Sequence, residues 1–388
     1  MRVFLIVLDG VGIGELPDAA DFGDRGSHTL RHVAEAVGGL RVPTLERLGL
    51  GRIEPLAGVR AVADPRASYG RMAERSKGKD STTGHWELAG IVSERPFPTY
   101  PRGFPPEVLE RFAAAAGRGW LGNVAASGTD IIARLGEEHQ RTGKLIVYTS
   151  ADSVFQIAAH EETVPLQELY RICRVARGLL DGTHAVARVI ARPFAGPPGG
   201  YRRTGNRRDF SLPPPDGTLL DRLIARGSRV LTVGKVDELF AGRGVTEGFH
   251  TQDNGEGEAI LRDMVRASGE GLVFANLVDF DQQYGHRNDP AGFGRALEQF
   301  DGVAAELLAH LRSDEMCIIT ADHGNDPTTP GTDHSREFVP LLVAGPRVRE
   351  GAALGTRETF ADVAATLAAL FDVPAPKTGR SFLAEVRA

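Results

Sequence analysis

The sequence predicts an α/β fold: a central, mostly parallel sheet flanked by helices, with a second, α+β domain inserted into it. Three observations lead there. Short apolar runs recur and end in a carboxylate, at residues 3–8 before Asp9, 272–278 before Asp279 and Asp281, and 317–321 before Asp322. Such runs suit strands covered on both faces. From Leu219 onward they alternate with helical patterns, the rhythm of parallel strands joined by crossover helices. Between Pro96-Phe97-Pro98 and Pro213-Pro214-Pro215 the texture changes to shorter, mixed elements, which marks an insertion.

With 388 residues the chain exceeds the size at which one core stops growing. Residues 1–96 and 215–388 are therefore expected to form the main domain, and 97–214 the inserted one. Hydrophobic content of 41% and charged content of 25% are those of an ordinary globular enzyme, not of a disordered chain. A formal charge of −6 gives no support to nucleic-acid binding. Cys173 and Cys317 lie far apart in apolar surroundings, which argues against a disulfide scaffold or a thiolate zinc site and suits a reducing cytoplasm. The first apolar run is too short to span a bilayer and enters Asp9-Gly10 without a cleavage site. It reads as the first core strand, with no membrane association expected.

Taken in order, the run at 3–8 ends at Asp9 and turns through Gly10, Gly12 and Gly14, where backbone can approach a ligand closely. Helices are expected at 29–37 and 44–48, with His28 and His32 one turn apart in a surface or core role. Residues 76–87 gather Lys77, Lys79, Asp80, Ser81, Thr82, Thr83 and Gly84 in a loop that leads into a helix. That loop is either an N-cap cluster or a phosphate-binding turn with a nucleophilic hydroxyl. Within the insertion, helices are expected from Pro105-Pro106-Glu107, over 129–140 and over 166–180, and strands at 145–149 and 185–191. A Gly/Pro-rich stretch bearing Arg202, Arg203, Arg207 and Arg208 follows, a candidate phosphate-binding patch. After the proline run come a helix, a strand at 229–233, a helix at 256–267, the strand at 272–278, a helix at 290–311, the strand at 317–321, a strand at 338–343 and a helix at 359–371.

Strand ends thus supply Asp9, Asp281 and Asp322, while His286, His323 and His334 lie in adjoining loops. Ligands of open α/β sheets collect at the carboxyl ends of strands, and six such groups suffice for two metal ions. Two ions suit phosphoryl transfer, because one can activate an oxygen nucleophile while both stabilise charge on the phosphoryl oxygens. Oxygen- and imidazole-rich spheres without thiolate point to Mn²⁺, Zn²⁺ or Mg²⁺.

Asp9-Gly10-Val11-Gly12, Gly78-Lys79-Asp80 through Gly84-His85-Trp86-Glu87, residues 148–152, 190–194, 279–286 and 321–325, and Asp333-His334-Ser335 together resemble the prokaryotic phosphopentomutases of the alkaline phosphatase superfamily. The resemblance implies an alkaline-phosphatase-like core with an inserted cap. It implies one Mn²⁺ held by Asp9, Asp322, His323 and the nucleophile, and a second held by Asp281, His286 and His334. The hydroxyl after the loop Asp becomes the phosphoenzyme; here it is Ser81, where the family usually carries Thr, with Thr82 the alternative. The implied reaction interconverts α-D-ribose 1-phosphate and ribose 5-phosphate, or their deoxy forms, through a 1,5-bisphosphate, primed by glucose 1,6-bisphosphate. Asp152 would bind the sugar, and Arg192, Arg202 and Arg207 the distal phosphate. The partners implied are small pentose phosphates, with no nucleic acid and no obligate protein partner. A metal-dependent phosphatase or phosphodiesterase, or an enzyme like the cofactor-independent phosphoglycerate mutases, could use the same ligand set.

Overall fold

The computed structural model describes residues 1–150 and 152–388, so Ala151 of the stretch 148–152 lies outside the described residues. The chain separates into two units, Met1–Arg95 with Pro214–Ala388, and Pro96–Pro213. Along the chain the strands are β1 (Arg2–Leu8), β2 (Ser68–Met72), β3 (Trp120–Ala125), β4 (Leu145–Thr149), β5 (Val154–His160), β6 (Arg188–Ala195), β7 (Arg202–Arg203), β8 (Arg208–Ser211), β9 (Val230–Val233), β10 (Glu247–Phe249), β11 (Gly271–Leu277), β12 (Glu315–Thr320), β13 (Val339–Ala344) and β14 (Ala353–Arg357).

The first unit holds an eight-stranded sheet in the order β10-β9-β11-β1-β12-β13-β2-β14. Only β13 runs against the other strands, because it pairs antiparallel with both β12 and β2 while the remaining ladders are parallel. Every residue of β1, β11 and β12 is buried, as expected for central strands with both faces covered. Helix Asn254–Arg266 joins β10 to β11, and helix Pro290–His310 joins β11 to β12. Register sets the site: Leu8 pairs with Leu277, and Val7 with Thr320. The three central strands therefore stop at one level, and the residues just beyond them meet.

The second unit holds a sheet in the order β3-β4-β5-β6-β7, with β8 also paired to β6. Alternation along its strands divides two cores. Leu145, Val147, Phe155, Ile157, Val189 and Ala191 pack with helices Pro106–Ala116 and Leu166–Leu179. Ile146, Tyr148, Ala158 and Phe194 pack on the opposite face with Ile131 and Ile132 of helix Gly128–Thr142.

Several elements differ from the sequence expectation. The strand expected at 185–191 forms later, as β6, because residues 182–184 make a helical turn. Pro193 is accommodated where the antiparallel partner of β6 changes from β8 to β7. The arginine-rich stretch is not one loop but contains β7 and β8, whose charged residues hide the strand signal. β5 also went unread, since Gln156 and two alanines interrupt its β-branched texture. Both cysteines are buried and free. No helix among the described residues is long and apolar enough to cross a membrane.

Candidate metal centre and nucleophile

Asp9 follows β1 directly and Asp322 follows β12 after Ala321, and both are fully buried. Gly10, in a left-handed conformation with φ 78°, turns its N–H onto Asp322 Oδ1 at 3.1 Å. Asn276 Nδ2 donates to Asp9 Oδ2 at 3.1 Å, and Lys235 Nζ lies 3.8 Å from the same oxygen. His323 donates from Nδ1 to Gly324 O at 3.0 Å, which leaves Nε2 as the free ligand nitrogen. That nitrogen stands 3.3 Å from Asp9 Oδ1, 3.4 Å from Asp322 Oδ2 and 3.1 Å from Ser81 Oγ.

Beyond β11 the chain makes a π-helical turn, Phe280–Tyr284, a distortion common at functional sites. Asp279 and Asp281 take different tasks there. Asp279 is engaged reciprocally with Asn254, accepting its N–H at 2.8 Å and donating its own N–H to Asn254 Oδ1 at 2.9 Å. Asp281 instead faces the centre, with Oδ2 3.2 Å from His286 Nε2 and Oδ1 3.4 Å from His334 Nε2. Asn325 Nδ2 donates to Asp281 Oδ1 at 2.7 Å, and His286 Nδ1 donates to Thr332 O. Ligand atoms of Asp281, His286 and His334 lie within 4.8 Å of one another, as do those of Asp9, Asp281 and His323. The two sets therefore adjoin, with Asp281 reaching both.

Ser81 opens the helix Ser81–Leu88. Asp80 is its N-cap, accepting from Thr83 N at 3.1 Å and Thr83 Oγ1 at 2.6 Å. The N-cap reading of this loop is thus realised by Asp80, and the hydroxyl of the next residue, Ser81, is left facing the buried carboxylate and imidazole. Thr83 is consumed by the cap and Thr82 is buried, whereas Ser81 Oγ is 3.5 Å from Asp9 Oδ1 as well as close to His323. Gly84 is required by proximity: a Cβ there would lie 2.1 Å from Asp322 O. The turn is held from behind by buried Glu87, which accepts from Arg75 N, Ser76 N, Thr359 Oγ1 and Phe360 N. Arg336, two residues after His334, donates to Gly78 O and pairs with Asp18 and Glu74. Lys79 bridges Asp24 and Asp333 at 3.0 and 3.2 Å.

Burial alone would raise the Asp281 carboxyl, but His334 and His286 together hold it well below the usual carboxylate range. Burial would likewise lower His286, yet the hydrogen bond and charge of Asp281 bring it up to about 9. Against burial, the Asp322 and Asp9 charges raise His323 well above its ordinary value. The pocket thus favours positive charge. Asp322 Oδ2 is a buried oxygen with no hydrogen-bond partner among the described residues, a costly state unless a cation meets it. Hard carboxylate oxygens and imidazole nitrogens, without thiolate, fit a divalent ion at each set.

His28 and His32 stay outside both sets: His28 Nδ1 caps helix Thr29–Ala36 by accepting from Arg31 N, and His32 pairs with Asp326. In the inserted unit, Arg192 Nε donates to Gln156 Oε1 at 3.0 Å, and burial brings its guanidinium down to about 10. Arg207 forms a two-pronged pair with Asp209 at 2.7 and 2.8 Å, while Arg202 is exposed on β7. Asp152 lies 3.8 Å from Arg188, a residue sequence reasoning passed over. Arg188, Ile190 and Arg192 alternate onto one face of β6, the face that also carries Tyr148 and Gln156. Arg203 reaches the same Tyr148, next to Gly128. Period-two alternation from Arg192 could have found Arg188. Lys235 and Asn276 carried no local signal, since their proximity to Asp9 comes from chain crossovers.

A sequence profile of the Metalloenzyme superfamily matches residues 230–375. Among solved structures, the PH0037 protein from Pyrococcus horikoshii is similar with a TM-score of 0.48 and 16% identity, covering 95% of this chain and 97% of that one. Leishmania mexicana phosphoglycerate mutase aligns with a TM-score of 0.48 and 14% identity, over 98% of this chain and 96% of that one. Curated relatives are far nearer in sequence. The phosphopentomutase of Caldanaerobacter subterraneus subsp. tengcongensis is 57% identical over 385 residues, 99% of this chain and 98% of that protein. That of Carboxydothermus hydrogenoformans is 57% identical over 386 residues, 100% of this chain and 99% of that protein. At such identity over the whole length, the chain belongs to the phosphopentomutase family.

Proposed function

We propose that this chain interconverts α-D-ribose 1-phosphate and ribose 5-phosphate, and the corresponding deoxyribose phosphates, with Ser81 as the phosphorylated nucleophile. Family membership makes it a phosphomutase, an isomerase, and the metalloenzyme profile agrees with metal dependence. The observation that carries the reading is the convergence of Ser81 Oγ with Asp9 Oδ1 and His323 Nε2 at 3.5 and 3.1 Å, beside the adjoining Asp281, His286 and His334.

Asp9, Asp322, His323 and Ser81 would hold one ion and Asp281, His286 and His334 the other, with Mn²⁺ the ion inferred. When bound, divalent ions lower the pKa of the hydroxyl and neutralise charge on the phosphoryl oxygens. Phosphorylated Ser81 would give its phosphoryl group to the C5 hydroxyl of ribose 1-phosphate: the new C5 O–P bond forms as the Ser81 Oγ–P bond breaks, and the hydroxyl's proton is balanced by one taken up at Ser81 Oγ. The product is the 1,5-bisphosphate, and the Ser81 oxygen is freed. That oxygen then takes the C1 phosphoryl group as the C1 O–P bond breaks, its proton balanced by one taken up at the C1 oxygen, which releases ribose 5-phosphate and restores the phosphoenzyme. A sugar bisphosphate such as glucose 1,6-bisphosphate primes the first cycle.

The inserted unit is proposed as the substrate-binding cap, which keeps the intermediate from water. Asp152 would bind the sugar. For the distal phosphate, Arg192, Arg202 and Arg207 are joined as candidates by Arg188 and Arg203 on the same sheet. The inferred setting is the cytoplasm, with small pentose phosphates as substrates and no obligate protein partner inferred.

The test is ribose 1-phosphate with Mn²⁺ and a catalytic amount of glucose 1,6-bisphosphate. Ribose 5-phosphate should accumulate, dependent on the primer. Free phosphate in its place would make the chain a phosphatase, and turnover of 3-phosphoglycerate would make it a phosphoglycerate mutase.

A further inference from the structure

We propose that His85 is a positioning residue that ties the backbone of the nucleophile to the carboxylate of Asp322. The inference rests on the metal-dependent phosphomutase reading above. His85 sits one turn after Ser81 on the same helix and is fully buried. Its Nδ1 is 2.9 Å from Ser81 O, and a carbonyl only accepts, so Nδ1 carries the hydrogen. The same nitrogen stands 3.1 Å from Asp322 Oδ2. That oxygen makes no hydrogen bond of its own among the described residues, so the hydrogen bond belongs to Ser81 while Asp322 feels the N–H dipole. The ring stacks on Phe274, with centroids 5.5 Å apart and planes at 22°. His85 Nε2 is buried without a hydrogen-bond partner among the described residues. With Nε2 unpartnered, the hydrogen bonding of this buried ring is carried by Nδ1.

Two consequences follow from that geometry. Holding Ser81 O fixes the first residue of the helix, and with it the direction of the Ser81 side chain. The Asp322 carboxylate is flanked on one side by Gly10 N, at Oδ1, and on the other by His85 Nδ1, at Oδ2. It cannot rotate without losing one of them. The helix is close enough for this only because position 84 lacks a Cβ, which would meet Asp322 O at 2.1 Å. One imidazole thus sets both the backbone of Ser81 and the carboxylate of Asp322, and outer partners of this kind would tune a metal held by that carboxylate.

The variants separate the two ring nitrogens. His85→Asn places an amide N–H near the position of Nδ1, His85→Gln extends its amide toward Nε2, and His85→Phe keeps the ring and its stacking without a donor. Mn²⁺ binding to chelator-stripped protein is measured by calorimetry, beside kcat, KM and the melting midpoint of the stripped protein. His85→Phe should weaken one of two Mn²⁺ sites by about 10–100-fold and lower kcat, with KM for ribose 1-phosphate and the stripped midpoint little changed. His85→Asn should recover most of that affinity, and His85→Gln should not. Parent-like Mn²⁺ affinity in His85→Phe overturns the proposal, as does equal impairment of all three variants. If His85→Phe does not fold, the amide pair decides: a parent-like His85→Gln beside an impaired His85→Asn also overturns it. A parent protein that binds two Mn²⁺ ions but lacks mutase activity contradicts the proposed function alone and leaves the affinity comparison standing. A parent that binds no divalent ion overturns both.

Discussion

The two sheets carry their polar groups in different places. In the eight-stranded sheet the strands themselves are apolar and buried, and Asp9 and Asp322 appear only after the strands have ended. In the sheet of the inserted unit, Arg188 and Arg192 stand within a strand and alternate with core residues Val189 and Ala191. The first arrangement suits buried ligands, because strand ends anchored in a packed core leave little freedom to the groups that follow. The second suits recognition, because a strand face presents a row of side chains spaced two residues apart. The expectation is that changes at the strand ends abolish chemistry, while changes on the strand face weaken substrate binding.

The harshest test of that division is Ser81→Ala, which should lower mutase activity by at least about 10³-fold, as loss of a covalent nucleophile does. Intact-mass measurement should show no phosphorylated form. Full activity in Ser81→Ala together with loss in Thr82→Ala would move the nucleophile by one residue. Next comes Asp322→Asn, where metal content after dialysis should fall by more than the ~10–100-fold typical of an outer-shell partner, with folded secondary structure retained by circular dichroism.

Arg188→Ala probes the strand face. Loss of a charge-assisted contact of about 1.5–3 kcal/mol should raise KM by roughly 10–100-fold, leaving metal content untouched. A collapse of kcat at constant KM would erase the proposed contrast between the sheets.

The smallest effect on turnover is expected from His28→Asn, which acts on core stability instead. Burial first, and Arg31 next, bring His28 from 6.5 down to about 4. The folded state therefore binds fewer protons than the unfolded state between those values. Stability from this group is complete above pH 6.5 and is lost as pH falls toward 4, at most about 3 kcal/mol in all. Asn preserves the cap and removes the titration, so the acid limb of the unfolding curve should flatten. Trp86 lies in the core unit and Trp120 in the inserted one, so single-tryptophan variants can report each unit. An acid limb that flattens equally for Trp120 would show that the effect is not confined to the core.

Much of the core centre was legible in the chain. An apolar run followed at once by Asp or Asp-His places a candidate ligand at the strand end, because a carboxylate is expelled from a covered strand and its burial where the strand stops calls for a cation or hydrogen-bond donors. Asp9, Asp322 and His323 announce themselves in that way. Asp281 was readable beside Asp279, though only the reciprocal bonding of Asp279 with Asn254 separates their tasks. The inserted unit was less legible. Arg202 and Arg207 stood out as a dense basic patch, while Arg188 was hidden among apolar residues of a strand whose start was expected three residues too early.

By itself, the sequence determined the α/β class, the change of texture over the inserted segment, the candidate ligand residues and the hydroxyl-bearing turn, since each follows from residues adjacent in the chain. Tertiary structure decided which of those groups meet. The register of β1 with β11 and β12 brings Asp9, Asp281 and Asp322 to one level, and that same assembly lets Asp281 adjoin both ligand sets. It also decided that His85 faces Asp322 across 237 positions of chain, 322 minus 85. Coordination and hydrogen bonding act over about 2–3 Å, and no periodicity in a sequence encodes a distance of that kind between residues so far apart.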